Sequence, residues 1–324
     1  MSTYQPPFTI TPEILDLVAR ISEMLGRWSA SMSGSLSPQL RRTNRILTIQ
    51  ASLAIENNTL SIEAVTDILE GKRVLGLPRE IQEVRNAFAT YDAMANWIPD
   101  SIENLLAAHE LLMAGLVDQA GQFRSGGVGI YRNKMVVHMP PPASRVKILM
   151  SDLLAWLATT TIHPLVASCV FHYEFEFIHP FEDGNGRMGR LWQTLILKSW
   201  QPILAYLPVE TVIRDQQEAY YAALSASDQA SDATVFVEFM LKALYQAMQE
   251  SSVKGSVKSS EKTEERILVL LNENHHLAIV ELAEILKLST RAVEKQIDKL
   301  KKQGRLERVG PAKGGVWNVL LARV

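Results

Sequence analysis

Of its 324 residues this chain has a single cysteine, Cys169. A lone thiol excludes an intramolecular disulfide framework and a multi-cysteine zinc or iron–sulfur site. It fits a reducing compartment, so a cytoplasmic protein is expected. A membrane-length apolar run is also missing. The longest uncharged stretch, LLAWLATTTIHPLVASCVF, is interrupted by three threonines and by His163-Pro164, and reads as two helices meeting at a turn. The opening residues, MSTYQPPFTITPEIL, have no basic and apolar leader, so export is not expected. Gly 17 and Pro 14 are too few for a collagen-like or low-complexity chain. Charge of one sign is not in excess overall, at net -2, but it is unevenly spread. Residues 251–324 hold 14 Lys and Arg against 9 Asp and Glu, which leaves 19 against 26 for the first 250. The C-terminal piece is therefore expected to meet a different partner from the rest.

What the chain has in plenty is helical periodicity. EILDLVARISEMLGRW, TNRILTIQASLAIE, EIQEVRNAFATYDAMANW, SIENLLAAHELLMAGL and FVEFMLKALYQAMQE all place apolar residues at three- and four-residue steps. The fold class is mainly α, with a helical bundle as the main body. One segment there is strand-like: GGVGIYRNKMVVHMPPP carries glycines, Tyr131 and a Val-Val pair, and ends in three prolines that forbid a helix, so it predicts a surface hairpin. After Gln249 the text turns to ESSVKGSVKSSEK, with almost nothing apolar to bury, and reads as a linker. Three short helix patterns and two strand-like runs then follow, the order of a winged helix-turn-helix.

Chemistry is concentrated in residues 179–190, HPFEDGNGRMGR. Gly184-Asn185-Gly186 precede a helical run, so backbone N–H groups at a helix N-terminus are presented to an anion. Arg187 and Arg190 lie three apart in the first turn, where the helix dipole disfavours cations; a polyphosphate would compensate both. His179 can take a proton near neutral pH, and Asp183 is a hard oxygen ligand suited to magnesium. Each feature alone is an ordinary turn or a solvated helix end. Together they describe a phosphate-transfer site.

The string resembles the motif of the Fic family, HxFx(D/E)GNGRxxR, and matches it at every fixed position. The resemblance implies transfer of AMP from ATP onto a Ser, Thr or Tyr hydroxyl of a protein, with ATP as substrate and Mg²⁺ as cofactor. It implies His179 as general base and Asp183 as the Mg²⁺ ligand. Gly184, Asn185 and Gly186 would cradle phosphate, Arg187 and Arg190 would hold the β- and γ-phosphates, and Phe181 would anchor the loop in the core. The hairpin matches the family's flap, with Met135, Val136, Val137 and His138 aligning an extended segment of the target by main-chain pairing. EAYYAAL resembles the segment that closes the adenine pocket, with Tyr220 as the ring contact. Packing of that tyrosine within its helix is the competing reading.

A second match lies upstream. Ser52 and Glu56 in SLAIEN are four apart on one helix face, and Asn57-Asn58 reads as a helix stop. That leaves the Glu56 carboxylate at the negative end of its helix, at a cost of roughly 0.3–1 kcal/mol unless a cation meets it. The pattern resembles the family's inhibitory motif (S/T)xxxE(G/N), whose glutamate pairs with the second motif arginine, here Arg190. In some relatives the same glutamate positions water to remove AMP. The domain reading that follows is residues 1–100 as a helical region carrying the inhibitory helix, 101–248 as the Fic catalytic core, 249–261 as a linker and 262–324 as the winged-helix-like domain.

In the last of these, Ser289 is a candidate N-cap and Val293, Ile297 and Leu300 form the buried face of STRAVEKQIDKLKKQG. Arg291, Lys295, Lys299 and Lys302 make a basic stripe, with Arg308 and Lys313 in the wing. Glu294, Asp298 and Glu307 interrupt it, which favours docking to protein or to a second copy of the chain over DNA. Two function classes stand side by side: a protein adenylyltransferase, and a DNA-binding transcriptional regulator whose Fic body senses nucleotide. The intact His179 favours the enzyme. A metallohydrolase using His172, Glu174, Glu176 and His179 is disfavoured by spacing unlike the usual helical ligand patterns.

Overall fold

The computed structural model describes residues 4–31, 38–132, 135–286, 288–310 and 315–320. The chain divides into two compact units, Met1–Met248 and Gln249–Val324. The first begins with α1 (Pro12–Ser31), α2 (Pro38–Ile55), α3 (Ile62–Leu69), α4 (Pro78–Ala93) and α5 (Ile102–Met113). A hairpin follows, β1 (Ile130–Arg132) and β2 (Met135–His138), then α6 (Ala143–Thr159), α7 (Pro164–Ile178), α8 (Asn185–Trp200), α9 (Val209–Asp215) and α10 (Gln217–Ala230). α11 (Thr234–Glu273) reaches into the second unit, which continues with α12 (Ile279–Leu286), α13 (Thr290–Lys302), β3 (Leu306–Val309) and β4 (Val316–Val319). The mainly helical class read from periodicity is the observed one.

α7 lies at the centre of the first unit. Leu165, Val166, Cys169, Val170, Phe171 and Phe175 are all buried, so the helix is apolar around most of its circumference, as a core helix must be. Pro164 occupies its first turn, where no intrahelical N–H is lost, and His163 accepts from the N–H of Leu165 at 3.3 Å. α8 closes on it at Gly189, where a Cβ would come within 2.9 Å of both His172 and Glu176. α2 packs on α3, α4 and α9, which brings its C-terminal end to the start of α8.

The expected hairpin is present. β1 and β2 run antiparallel, with Tyr131 opposite Val136, Arg132 opposite Met135, and a bulge between Ile130 and Tyr131. The prolines after His138 end the strand, and Pro142 is the cap of α6. For Met135, Val136 and Val137 the description covers the backbone alone.

Residues 249–261, read as a linker for want of apolar side chains, fall within α11. Lysine and glutamate are good helix formers, and the helix needs apolar residues only where it packs. Those lie on either side, at Phe236, Val237, Met240, Leu241, Leu244 and Met248 before the stretch and at Ile267 and Leu271 after it.

The second unit has a core of its own, including Ile267, Leu271, Leu282, Val293, Ile297, Leu300, Leu306 and Trp317. Ser289 caps α13 by accepting from the N–H of Ala292 at 3.2 Å, and β3 pairs with β4 from Leu306–Val319 to Val309–Val316. Trp317 donates its indole N–H to the Leu277 carbonyl at 3.0 Å. Lys313 lies outside the described residues. Among the described residues no helix is long and apolar enough to cross a membrane.

Leu300 is fully buried in the second core, so Leu300→Ala is expected to lower that core's stability by about 2–5 kcal/mol. Native-state hydrogen exchange of the full chain checks this: protection should fall in α12 and α13 and hold in α7.

Candidate active site

The turn from α7 to α8 is bracketed by two left-handed residues. His179 caps α7 at φ +50°, with its N–H on the Phe175 carbonyl, and Gly184 opens α8 at φ +84°. A histidine in that region is strained by about 1–2 kcal/mol and must be held there. Buried Arg124 does much of the holding: Nε donates to the His179 carbonyl at 2.7 Å, and the two terminal nitrogens to the carbonyls of Gly126, Pro141 and Ile178. Its own N–H donates to the Pro180 carbonyl. Phe181 is fully buried and stacks on the His109 ring with centroids 3.6 Å apart. His109 accepts from the Gly121 N–H at Nδ1, so Nε2 carries the proton and donates to the Asp183 carbonyl at 3.0 Å.

The Asn185 side chain is buried and bonded to the loop itself, Oδ1 accepting from the Phe181 N–H and Nδ2 donating to the Phe181 carbonyl, both at 2.9 Å. The side chain therefore shapes the loop.

Glu56 meets Arg190. The α2 terminus is a Schellman turn, with Asn58 N–H on the Leu53 carbonyl, Asn57 N–H on that of Ala54, and Asn57 left-handed at φ +68°. Glu56 is the helix cap, and its Oε1 accepts from Arg190 at 2.8 Å. Arg190 is buried and also donates to the Ser52 hydroxyl at 3.1 Å and the Ser52 carbonyl at 3.0 Å. Burial works against its charge, but Glu56, together with Tyr220 and Glu176, outweighs that and holds the guanidinium above its ordinary pKa. A Cβ on Gly186 would collide with Glu56 Oε1. The carboxylate thus sits at the N-terminus of α8, where the open amides favour an anion.

Arg187 is held separately. It donates to Glu83 at 3.4 Å and to Asp183 at 3.3 Å, while Asp183 also takes Arg79 at 3.2 Å and the Gly184 N–H at 2.6 Å. Asn58 donates to the other Glu83 oxygen at 2.8 Å, linking this network to the end of α2. No cluster of three metal-ligating side chains occurs among the described residues. Asp183, half-exposed and alone, fits Mg²⁺ carried on a nucleotide, which takes few protein ligands, and does not fit a resident metal cage.

A cleft of about 700 Å³ gathers Glu56, His179, Gly186, Arg190, Tyr220 and His138 on its walls. Burial, helped by the nearby charge of His138, pushes His179 down to about 4, so at neutral pH it is a free base able to accept a proton. Tyr220 is packed in the core, its hydroxyl 3.2 Å from His172 Nε2 and its ring against Phe236; Tyr221, only half-buried, lines the same cleft. His172 is buried, its Nδ1 2.7 Å from Gln193 Oε1.

Residues 99–197 match the profile of the Fic/DOC family, and 260–307 match a winged helix-turn-helix DNA-binding profile. Over 98% of its length the chain is similar to the crystal structure of a Fic family protein from Desulfovibrio desulfuricans G20, with 54% identity, 98% of that chain covered and a TM-score of 0.77. This chain belongs to the Fic family. Fic-1 of Caenorhabditis elegans is a more distant solved neighbour, 25% identical over 76% of this chain and 73% of that one, with a TM-score of 0.63. Among curated proteins, this Fic protein is 30% identical over 226 residues to protein adenylyltransferase fic-1 of C. elegans and 31% identical over 208 to protein adenylyltransferase Fic of Drosophila erecta. These matches take 64% and 59% of this chain but 41% and 39% of the relatives, so the Fic protein spans about two fifths of the length of the curated relatives it matches.

Sequence reasoning missed Arg124, His109 and Glu83. None lies in a motif; the one signal was a polar residue on an otherwise apolar helix face, which His109 supplies in LLAAHELLM. Burial pushes His109 down to about 4, with Arg187 adding to the effect and the Asp183 carbonyl opposing it. The unfolded chain therefore takes this proton first. Stability from a neutral His109 is full above about pH 6.5 and is lost as pH falls toward 4, by on the order of 3 kcal/mol. His109→Gln, which cannot titrate, should flatten that acid limb in urea unfolding followed against pH.

Proposed function

We propose that this Fic protein is a protein adenylyltransferase that moves AMP from ATP to a Ser, Thr or Tyr hydroxyl, and that Glu56 restrains it. The observation that carries the reading is the Glu56 carboxylate bonded to buried Arg190 over Gly186. A negative group already occupies the place that the helix terminus and guanidinium suit to phosphate.

In the proposed reaction His179, neutral in the resting cleft, takes the proton from the target hydroxyl as its oxygen bonds to the α-phosphorus and pyrophosphate leaves. The amides at the start of α8, Gly186 among them, face the phosphates, with Arg190 and Arg187 as cations on the leaving group. Asn185 acts through the loop it shapes. Asp183 would hold Mg²⁺, which supplies charge neutralisation on the α- and β-phosphates when bound. Tyr221, on the cleft wall, takes over the ring contact first assigned to Tyr220. On this reading residues 1–100 carry the restraint and 101–248 the chemistry. The buried Cys169, its thiol pushed up to about 12 by burial, suits a reducing cytoplasm.

We assign the second unit to docking. Arg291, Lys295 and Lys302 are exposed, but Lys299 is bonded to Glu264 at 2.7 Å and Arg308 lies over the Trp317 ring, which leaves a thinner basic stripe for DNA.

Glu56→Gly should raise AMP transfer by about tenfold or more, equivalent to ~1.4 kcal/mol. Labelled ATP with a cell lysate reads this out. Single-turnover transfer excludes later AMP removal as the cause, and equal single-turnover rates for both proteins would sink the restraint. In the Glu56→Gly background, His179→Ala should lower transfer by about 10²–10⁴-fold with ATP affinity retained. Calorimetric titration with ATP separates loss of chemistry from loss of binding.

A further inference from the structure

His138 is the last residue of β2 and turns its ring into the cleft wall. Its Nδ1 lies 2.8 Å from Asp228 Oδ2 on α10, and its Nε2 lies 2.9 Å from the Phe177 carbonyl on α7. A carbonyl only accepts, so Nε2 carries a proton. A carboxylate also only accepts, so Nδ1 carries one too. The doubly protonated imidazolium alone satisfies both bonds at once. Asp228 is itself held, its other oxygen accepting from the Tyr173 hydroxyl at 3.0 Å. Just beyond the strand, Arg124 grips the Pro141 carbonyl at 2.6 Å. One end of β2 is thereby fastened twice, and among the described residues the other edge of the strand pairs with no further strand.

We propose that His138 is a positioning residue for the protein target: bonded at both ring nitrogens, it fastens β2 to α7 and α10 beside the cleft, and the fastening opens when the ring loses a proton. The target part of this inference rests on the adenylyltransferase reading. The latch itself rests on the geometry alone.

A neutral ring can donate at one nitrogen only. The lone pair left on the other would face either the Asp228 carboxylate or the Phe177 carbonyl, so one of the two bonds must be given up. The groups facing the ring from its surroundings are Asp228 on α10, Tyr173 and Glu176 on α7, and His179 just after α7. Burial works against the charged ring, but the Asp228 and Phe177 bonds and the charge of Asp228 raise it above the ordinary histidine value, with a smaller contribution from Glu176 where that group, itself pushed up to about 7 by burial, is ionised. The sign follows: the latch is fully made below about pH 6.5 and is lost as pH rises through the raised value. Deprotonation would also remove a positive charge close to His179, which that charge depresses.

The test has two arms. Imidazole NMR of the full chain follows His138, with amide exchange of β2 as the backbone readout. His138 should titrate above 6.5, β2 protection should fall across the same interval, and Asp228→Asn should lower the midpoint by about one unit or more. In the Glu56→Gly background, KM for the purified protein labelled from the lysate should rise at least threefold through that interval while KM for ATP holds. His138→Gln, which has one donor group and no titration, should hold the target KM at its high-pH value at every pH. A midpoint at or below 6.5, or a target KM flat through the titration, overturns the proposal. If no protein is ever labelled, the adenylyltransferase reading fails, and the NMR arm still decides the latch.

Discussion

The corner between α7 and α8 has to hold a histidine and a glycine in the left-handed region five residues apart, and three buried polar side chains of the first unit serve that one constraint. Arg124 spans carbonyls on both sides of the corner, His109 takes one carbonyl while stacking on Phe181, and Asn185 bonds the loop to itself. Each of these groups is buried, and each would be costly if its partner were lost, by about 1–3 kcal/mol per orphaned group. The strain at His179 is thus maintained by a set of satisfied hydrogen bonds that are not part of the reaction.

The same corner brings the positive end of α8 against the C-terminal end of α2. A carboxylate at its own helix C-terminus is disfavoured, yet Glu56 there faces the N-terminus of another helix and a buried guanidinium. The unfavourable and favourable dipole effects are of similar size, so the Arg190 pair decides the outcome. Arg190 is buried and Glu56 is not, so loss of the carboxylate is what leaves an uncompensated buried charge, and an anionic occupant suits the place of Glu56.

The legible parts of the sequence were those where one residue type is forced by geometry. Glycine at 184 and 186, asparagine at 57, serine at 289 and the prolines closing the hairpin are read from backbone requirements, and the structure places them as expected. Ser52, Glu56 and Arg190 also meet as the resemblance implied. Less legible were positions whose role depends on what packs beside them. Tyr220 and Tyr221 are adjacent and chemically alike, both line the cleft, and only packing against Phe236 makes the first buried while the second stays half-buried. The helical state of the Ser- and Lys-rich stretch was not legible, because a lack of apolar residues argues against burial without arguing for or against a helix. Glu83, one of two glutamates on α4, has no local signal at all.

The two motif arginines are restrained unequally, and that inequality orders what a polyphosphate would have to do. Arg187 is held by contacts of 3.3–3.4 Å to Asp183 and Glu83, long for charge-assisted bonds and open to exchange. Arg190 is held at 2.8 Å by Glu56 and twice more by Ser52, deep in the core. Phosphate could therefore reach Arg187 by loosening contacts already weak, whereas at Arg190 it has to replace a short ion pair in the same space above Gly186. Asn58 joins the two, since it sits two residues after Glu56 and bonds Glu83 at 2.8 Å. The helix end that carries Glu56 is thus tied, through Asn58, to the partner of Arg187, so on the proposed reading a movement of that helix end would reach both arginines.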